Sequence, residues 1–493
     1  MTDADSDAFD QYRADVPTTP EPLDEWRFVT VARALGPVIA TLRPGDKMPS
    51  LRVVARQNGV SLATAEAAFR RLEADGLIEA RPRSGFFVCG RTHTLAPRVA
   101  RRTALALRPS VAERVRALIE AMRHPEVVAL GGAVLGQTLV PVQALSRSMA
   151  RVAKTAGAIG LAYDVPPGPL ALRRQIARRM TEAGAAVEAD ELLITVGCME
   201  ALQLGLAILT RPSDTVVVES PCYYGLLQAA EALDLKVVEV PAHPSTGMDL
   251  DALEAVLGQQ PVACVMVTPS FLNPLGALMP EAHRKRFVSL IERYKTYAIE
   301  DDIYGDLAHD PGLRPRPLKA HDRQGRVLYA SSYSKSVAPG YRIGWLHPAG
   351  FMDKALTRQF AHIVATPTPT ALAMADYLEG GGFERHVRRT RPLIASQVAQ
   401  YRDVLCRNFP AGTRISEPQG GFVLWLELPA PAGSDITLQR LALERRIAIA
   451  PGSIFSARER FGNAIRINCG APLDDRIERA LRTLGELALD VCR

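Results

Sequence analysis

The spacing of apolar residues changes several times along the chain, and each change marks an element. From Asp24, WRFVTVARALGPVIATL carries apolar residues at helical spacing, and Arg43-Pro44-Gly45-Asp46 ends it with a turn. Ser50 is placed to cap a short second helix, LRVVARQNG, which stops at Gly59. Ser61 is placed to cap a third, LATAEAAFRRLEADG, which stops at Gly76. LIEARPRSGFFVCG then reads as two short strands around a basic turn. Short helices separated by a tight turn, followed by a hairpin, predict a winged helix-turn-helix over residues 25–90. Residues 1–24 are rich in Asp, Pro and Thr without apolar patterning and read as a disordered tail.

Residues 91–123 are arginine-rich and read as a basic linker, either tracking nucleic acid or simply solvated, with RVRALIEAMRH as a helix leading out of it. Over 124–493 the pattern alternates between apolar strands and amphipathic helices. ELLITV precedes CMEALQLGLAIL, TVVVES precedes YYGLLQAAEAL, and ACVMV, TYAIE and RVLYA are further buried strands. This predicts an α/β domain with a mostly parallel sheet and helices on both faces. GGFVLWLEL and FGNAIRINCG predict strands of a smaller C-terminal α+β subdomain.

A length of 493 residues implies more than one domain. No apolar run is long enough to span a bilayer and the first residues are acidic, so a cytoplasmic protein without membrane contact is expected. Seven scattered cysteines without a C-x-x-C pair suggest reduced thiols, with neither a metal site nor a disulfide framework. The net charge of +6 permits nucleic-acid binding without establishing it.

The candidate chemistry centres on SSYSKSVAPGYRIGW, residues 331–345, after the strand RVLYA. A lysine held among serines at a buried strand end can lose its proton and attack a carbonyl, forming a Schiff base. A Pro339-Gly340 turn can return Arg342, so that its guanidinium and the hydroxyls of Ser332 and Ser334 meet one phosphate. A lysine among serines is, by itself, more often solvated surface. The full set Ser332, Ser334, Lys335, Pro339, Gly340, Arg342 and Gly344 resembles the lysine motif of fold-type I aminotransferases, S-x-S-K followed by P-G-x-R-x-G.

That resemblance implies a fold-type I transferase domain with pyridoxal 5'-phosphate on Lys335, and further matches follow in family order. Gly132, in VVALGGAVLG, would border the substrate, and Tyr163 would reach a partner subunit's cofactor phosphate across a homodimer. Gly197, Cys198 and Met199, at a strand-to-helix turn, would cradle the phosphate, the last two through backbone groups rather than side chains. Tyr223, with Tyr224 as the alternative, would stack on the ring, and Asn273 of N-P-x-G would donate to its 3-oxygen. Asp301 of D-x-x-Y would face the pyridine nitrogen, keeping it protonated, with Asp302 as the alternative in a doubled pair. Tyr304 would bond the 3-oxygen, and Arg466 would clamp a substrate α-carboxylate.

RPGDKMPSLRVVA, NGVSLATAEAAFRRLEADGLIEAR and SGFFV resemble the GntR-type DNA-binding domain over nearly all of 25–90. The resemblance implies double-stranded DNA as a partner, with Ser50, Arg52, Ser61 and Thr64 meeting phosphates or base edges. Arg81 and Arg83 would flank the wing turn at Gly85 and reach backbone phosphates. Ser61-Leu62 departs from the Ser-Arg that the family often has there, which removes an arginine able to read guanine. An accessory packing role for these helices is the plainer alternative.

Together the two resemblances are those of the MocR group of bacterial regulators. They imply a dimeric transcriptional regulator whose DNA binding answers to an amino-acid or amine effector reacting at Lys335. A working aminotransferase with a DNA-binding appendage, and a sensor of pyridoxal phosphate itself, are the other readings.

Overall fold

The computed structural model describes residues 27–42, 45–74, 77–81, 84–88, 96–99 and 111–492. The tail expected over 1–24 and the wing residue Arg83 lie outside these. The chain divides into two compact units, Met1–Arg91 and Thr92–Arg493.

In the first unit, helices Arg27–Thr41, Leu51–Gln57 and Leu62–Ala74 precede an antiparallel hairpin of Ile78–Arg81 and Gly85–Val88. Val31, Leu35 and Ile39 of the first helix repeat every four residues, and Ala65, Ala68, Phe69 and Leu72 do so at three and four. These two stripes close on Met48, Val54, Ile78 and Val88 to make the core. Ser50 and Ser61 cap as expected: the Ser50 hydroxyl accepts from the Val53 amide at 3.4 Å, and Ser61 from the Thr64 amide at 3.1 Å. Gly85 takes φ +100°, which a side chain would resist, and so lets the wing turn.

The larger unit is built on an eight-stranded sheet in the order Leu193–Val196, Ile343–His347, Val327–Ser332, Tyr297–Asp301, Cys264–Val267, Thr215–Ser220, Lys236–His243, Gly247–Met248. Only Ile343–His347 and Gly247–Met248 run against the rest, so the expected mostly parallel sheet is present. Alternate residues of its strands part into two cores. Val216, Val218, Met266, Ile299 and Leu328 join helices Cys198–Leu209 and Tyr224–Ala232 on one face. Val217, Val265, Val267, Ala298 and Val327 join helices Leu250–Gln259 and Glu281–Arg293 on the other. The near-continuous apolar runs read from the sequence follow from this burial on both sides.

The smaller subdomain carries a four-stranded antiparallel sheet in the order Arg414–Ile415, Val423–Glu427, Ala464–Asn468, Ala450–Pro451. Helices Gly382–Asn408, Ser434–Glu444 and Asp475–Val491 cover it.

One expectation is corrected. Residues 91–123 are not a linker throughout. Helix Ala112–Ala121 sends Val115 and Leu118, with Val111 before it, into the large core. Arg98 and Ala96 are also pinned: the Arg98 amide donates to both Glu427 oxygens at 3.0 Å, and Arg414 donates to the Ala96 carbonyl at 2.9 Å. Apolar spacing at 111, 115 and 118 was masked in sequence by the surrounding arginines.

Candidate functional site

A cavity opens beyond the carboxyl ends of the parallel strands, where α/β sheets ordinarily take ligands. Its space is about 630 Å³, partly continuous with solvent. Cys198, Met199, Tyr223, Asn273, Asp301, Tyr304, Ser334, Lys335 and Arg342 line it, nine of the residues singled out from the sequence; all but Arg342, which precedes a strand, follow or end one.

The doubled aspartate is resolved by what each carboxyl touches. Asp301, the last residue of its strand, faces the cavity, whereas Asp302 faces away into a buried network. Arg314 donates to Asp302 Oδ2 at 2.6 Å and the Tyr329 hydroxyl donates to the same oxygen at 2.8 Å. The tyrosine pair is resolved in the same way. Tyr223 lines the cavity, its ring folded over Gly225, where a Cβ would stand 2.4 Å from a ring carbon. Tyr224 instead packs on Phe455, ring centroids 5.6 Å apart.

Helix Cys198–Leu209 starts at the cavity, and its first amides have no partner within the helix. Gly197, at φ +79°, sits before it, where a Cβ would lie 2.4 Å from Arg342 Nη2. A Cβ on Gly344 would likewise meet the backbone of Gly197 at 2.5 Å. Arg342 is thereby drawn over the helix start and donates to the Val196 carbonyl at 2.9 Å and the Ser334 hydroxyl at 3.4 Å. Partial positive charge from the helix, a guanidinium and a hydroxyl converge there, the donor set of an anion site. Ser332 stands one step back. Its hydroxyl donates to the Ile343 carbonyl at 2.8 Å and accepts from the Ser334 amide at 2.9 Å, so it braces the turn without lining the cavity.

Lys335 lies between the anion end and Asp301. Burial, then the nearby Arg466 charge, lower its amine from 10.5 to about 8, against the pull of Asp301. Burial raises Asp301 to about 6, opposed by hydrogen bonds from Cys198 and Ile303. The Lys335 amine donates to the Ala133 carbonyl at 2.5 Å. Arg466, fully buried, donates to Asn273 Oδ1 at 3.0 Å and to the Gly131 carbonyl. Gly132, between those two carbonyls, packs against Met122, the residue after helix Ala112–Ala121. Tyr163 takes no part in this cavity and is 81 % exposed.

Two hydroxyls at the cavity, Tyr304 Oη and Thr268 Oγ1, are buried and meet no hydrogen-bond partner among the described residues; Asn273 lies beside Tyr304 without the geometry of a bond. A group that brings an anion to the Gly197 end and oxygens to these hydroxyls fits the residues present. Thr268, Leu202 and Ile303 also line the cavity and were not anticipated, since apolar or small residues after a strand carry no signal of their own.

Comparison with known proteins agrees. The family described as aminotransferase class I and II matches residues 135–484, and that described as bacterial regulatory proteins, gntR family, matches residues 31–88. The uncharacterized HTH-type transcriptional regulator YjiR of Escherichia coli (strain K12) is 37% identical over 445 residues, 90% of this chain and 94% of that relative. The chain belongs to the MocR type, a gntR-family domain joined to a class I and II aminotransferase domain.

Among solved structures, this MocR-type chain resembles Pyrococcus horikoshii kynurenine aminotransferase in complex with PMP. The TM-score is 0.72 at 27% identity, covering 78% of this chain and 96% of that one. It also resembles LysN, the α-aminoadipate aminotransferase of Thermus thermophilus, complexed with N-(5'-phosphopyridoxyl)-L-leucine. That TM-score is 0.70 at 28% identity, covering 76% and 94%. Pyridoxal 5'-phosphate is the cofactor of this MocR-type chain's fold.

In its winged-helix unit, Ser50, Arg52, Ser61, Arg81 and Gly85 are exposed, and Thr64 is half-buried beneath Ser61, the two hydroxyls 2.8 Å apart. Arg81 is engaged by Glu79 at 2.7 Å and lies 4.4 Å over the Phe87 ring. No described helix is long and apolar enough to cross a membrane, and the described residues hold no cluster of metal-ligating side chains.

Proposed function

We propose that this chain is a DNA-binding transcriptional regulator, and that an amino acid or amine reacting at Lys335 changes its grip on DNA. The observation that carries this reading is a buried lysine, its amine lowered to about 8, in a cavity whose Asn273 is held by the buried Arg466, on a chain that also carries a gntR-family domain.

In this reading Lys335 holds the cofactor covalently. Asp301 faces its ring nitrogen, Tyr223 covers the ring, and Asn273 and Tyr304 serve the 3-oxygen. The amides after Gly197, at Cys198 and Met199, bind its phosphate with Ser334 and Arg342, while Ser332 keeps Ser334 in place. The bound cofactor supplies an electron sink for an amine's α-carbon. Arg466 receives the ligand carboxylate beside Gly132. Ser50, Arg52, Ser61, Thr64, Arg81 and Gly85 would meet double-stranded DNA, with Arg83 near them in sequence.

Pairing of two chains is supported by the surface around Tyr163. Ile159 and Leu161 are 79 % and 85 % exposed, with Val165 and Leu170 beside them in sequence, more apolar surface than a monomer usually leaves to water. A homodimer would bring Tyr163 to the partner's phosphate.

The test is an absorbance spectrum of the protein loaded with pyridoxal phosphate, with and without a panel of amino acids and amines, alongside operator binding. One ligand should shift the visible band and change DNA affinity together. Lys335→Ala should lose the band while keeping the fold and basal DNA binding. A band that no amine shifts, with DNA binding that follows pyridoxal phosphate alone, would overturn the effector reading.

A second reading, a working aminotransferase, is favoured by the presence of Lys335, Asp301, Asn273 and Tyr304 in one cavity with Arg466 against Asn273. Multiple turnover with an amino donor and a 2-oxo acid would establish it.

A further inference from the structure

We infer that Cys198 is a positioning residue for Asp301: its thiol holds Oδ1 of the carboxylate and thereby turns Oδ2 toward the cofactor's ring nitrogen. The inference rests on the cofactor reading above and goes beyond the backbone role expected of Cys198.

Cys198 is the first residue of its helix and is buried, 103 positions from Asp301 in the chain. Its Sγ donates to Asp301 Oδ1 at 3.4 Å, and the Ile303 amide donates to that same oxygen at 3.3 Å. Among the described residues no donor meets Oδ2, although Asp301 lines the cavity. Two donors on one oxygen, one from the helix and one from the chain just past the strand, fix the carboxylate's rotation. The other oxygen is left for the cavity.

The choice of sulfur has a chemical consequence. Burial, with the Asp301 charge beside it, holds the thiol well above its ordinary range, so it stays S–H and acts as a donor. A thiol is a weak donor, and it orients the carboxylate while withdrawing little of its negative charge. A serine hydroxyl would bind more strongly and compete with the ring nitrogen for that charge. The other groups whose charges bear on Asp301 are Lys335, Asp302 and Glu219, with the phenols of Tyr223 and Tyr304. Of these, Lys335 also feels Cys198, so its own titration is followed beside that of Asp301.

The experiment uses the full chain and two variants, Cys198→Ala and Cys198→Ser. The titration of Asp301 is followed in the cofactor-free protein by carboxyl-labelled NMR, and pyridoxal phosphate binding is followed by absorbance. Losing one neutral donor should raise the Asp301 midpoint by about half to one pH unit in Cys198→Ala. The same variant should weaken cofactor binding about three- to tenfold. Cys198→Ser should return the midpoint to the wild-type value or below it while shifting the cofactor's visible band.

Midpoints identical in all three proteins would overturn the inference, as would a serine variant that behaves like alanine. Should Cys198→Ala fold poorly, the serine variant's midpoint and band decide alone: an unmoved band with an unmoved midpoint overturns the inference. Failure of the wild type to bind pyridoxal phosphate would instead overturn the cofactor reading on which it rests.

Discussion

Ser50, Arg52 and Ser61 stand on the outside of a small three-helix core, whereas Asp301, Asn273 and Arg466 are buried within or just beyond strands. The first set owes the fold little beyond two helix caps, and each member of the second is hydrogen-bonded to a residue distant in the chain. The contrast shows what each surface can tolerate. An exposed face such as the one proposed to meet DNA can change its chemistry with almost no structural consequence, as the 49 % exposed Leu62 after Ser61 illustrates. The cavity has less freedom, because Asp301, Asn273, Lys335 and Arg466 there also bond other buried groups.

Five substitutions or measurements sharpen that contrast, and the largest effect lies beside the cavity. Asp302→Ala strands the Tyr329 hydroxyl and leaves the buried Arg314 guanidinium with Asp306 as its remaining carboxylate, and should cost about 3 kcal/mol of stability in thermal or denaturant unfolding. Asp301→Asn should leave the melting temperature nearly unchanged and weaken cofactor retention at least about tenfold. If the two variants behaved alike, the division between a structural and a functional aspartate would fail.

Gly197→Ala comes next. Its Cβ would collide with Arg342 Nη2 and its backbone would keep φ +79°, at a cost of about 1–3 kcal/mol with a weakened hold on phosphate. Inorganic phosphate protection of the cofactor-free protein against heat would measure the second part.

The pH dependence of cofactor capture is a smaller effect. Lys335 attacks only when neutral, and its amine is lowered from 10.5 to about 8. The rate at which the visible band forms should therefore rise with pH and level off above about 8. Between these two values the unfolded chain holds the proton more tightly than the fold, so the cofactor-free protein should also gain stability as pH climbs from about 8 toward 10.5. A rate still rising steeply at the ordinary lysine value would contradict the buried placement of the amine.

The smallest structural effect belongs to the outer surface. Arg52→Ala should change stability by no more than about 0.5 kcal/mol. If Arg52 meets a phosphate, the slope of DNA affinity against salt should fall by about one. A large loss of stability here would break the comparison from its other side.

Much of this was legible in the sequence because local signals carried it. The strand–glycine–helix form around Gly197 and the run from Ser332 to Gly344 depend on neighbours a few residues apart. Strand alternation was legible for the same reason, although Val217 and Val218 face opposite cores and look identical in the sequence. What stayed hidden depends on distant residues meeting. Nothing in EDD says which aspartate Arg314 will claim, and nothing in GCM says that the thiol will reach a carboxylate on another strand. Arginine-rich surroundings likewise concealed that Val111, Val115 and Leu118 belong to a core.

The carbonyls of Gly131 and Ala133 have a consequence for how tightly anything binds. Arg466 donates to the first and Lys335 to the second, so neither cation waits bare for a ligand. Residues 131–133 act as a tethered competitor, present at a fixed effective concentration that no dilution lowers. A lone carboxylate gains only the difference between its bond to Arg466 and the one it displaces. A molecule that carries both a carboxylate and an amine can displace both contacts at once. If an amino acid is the ligand, as proposed, part of its advantage over a simple acid would come from the protein's own backbone.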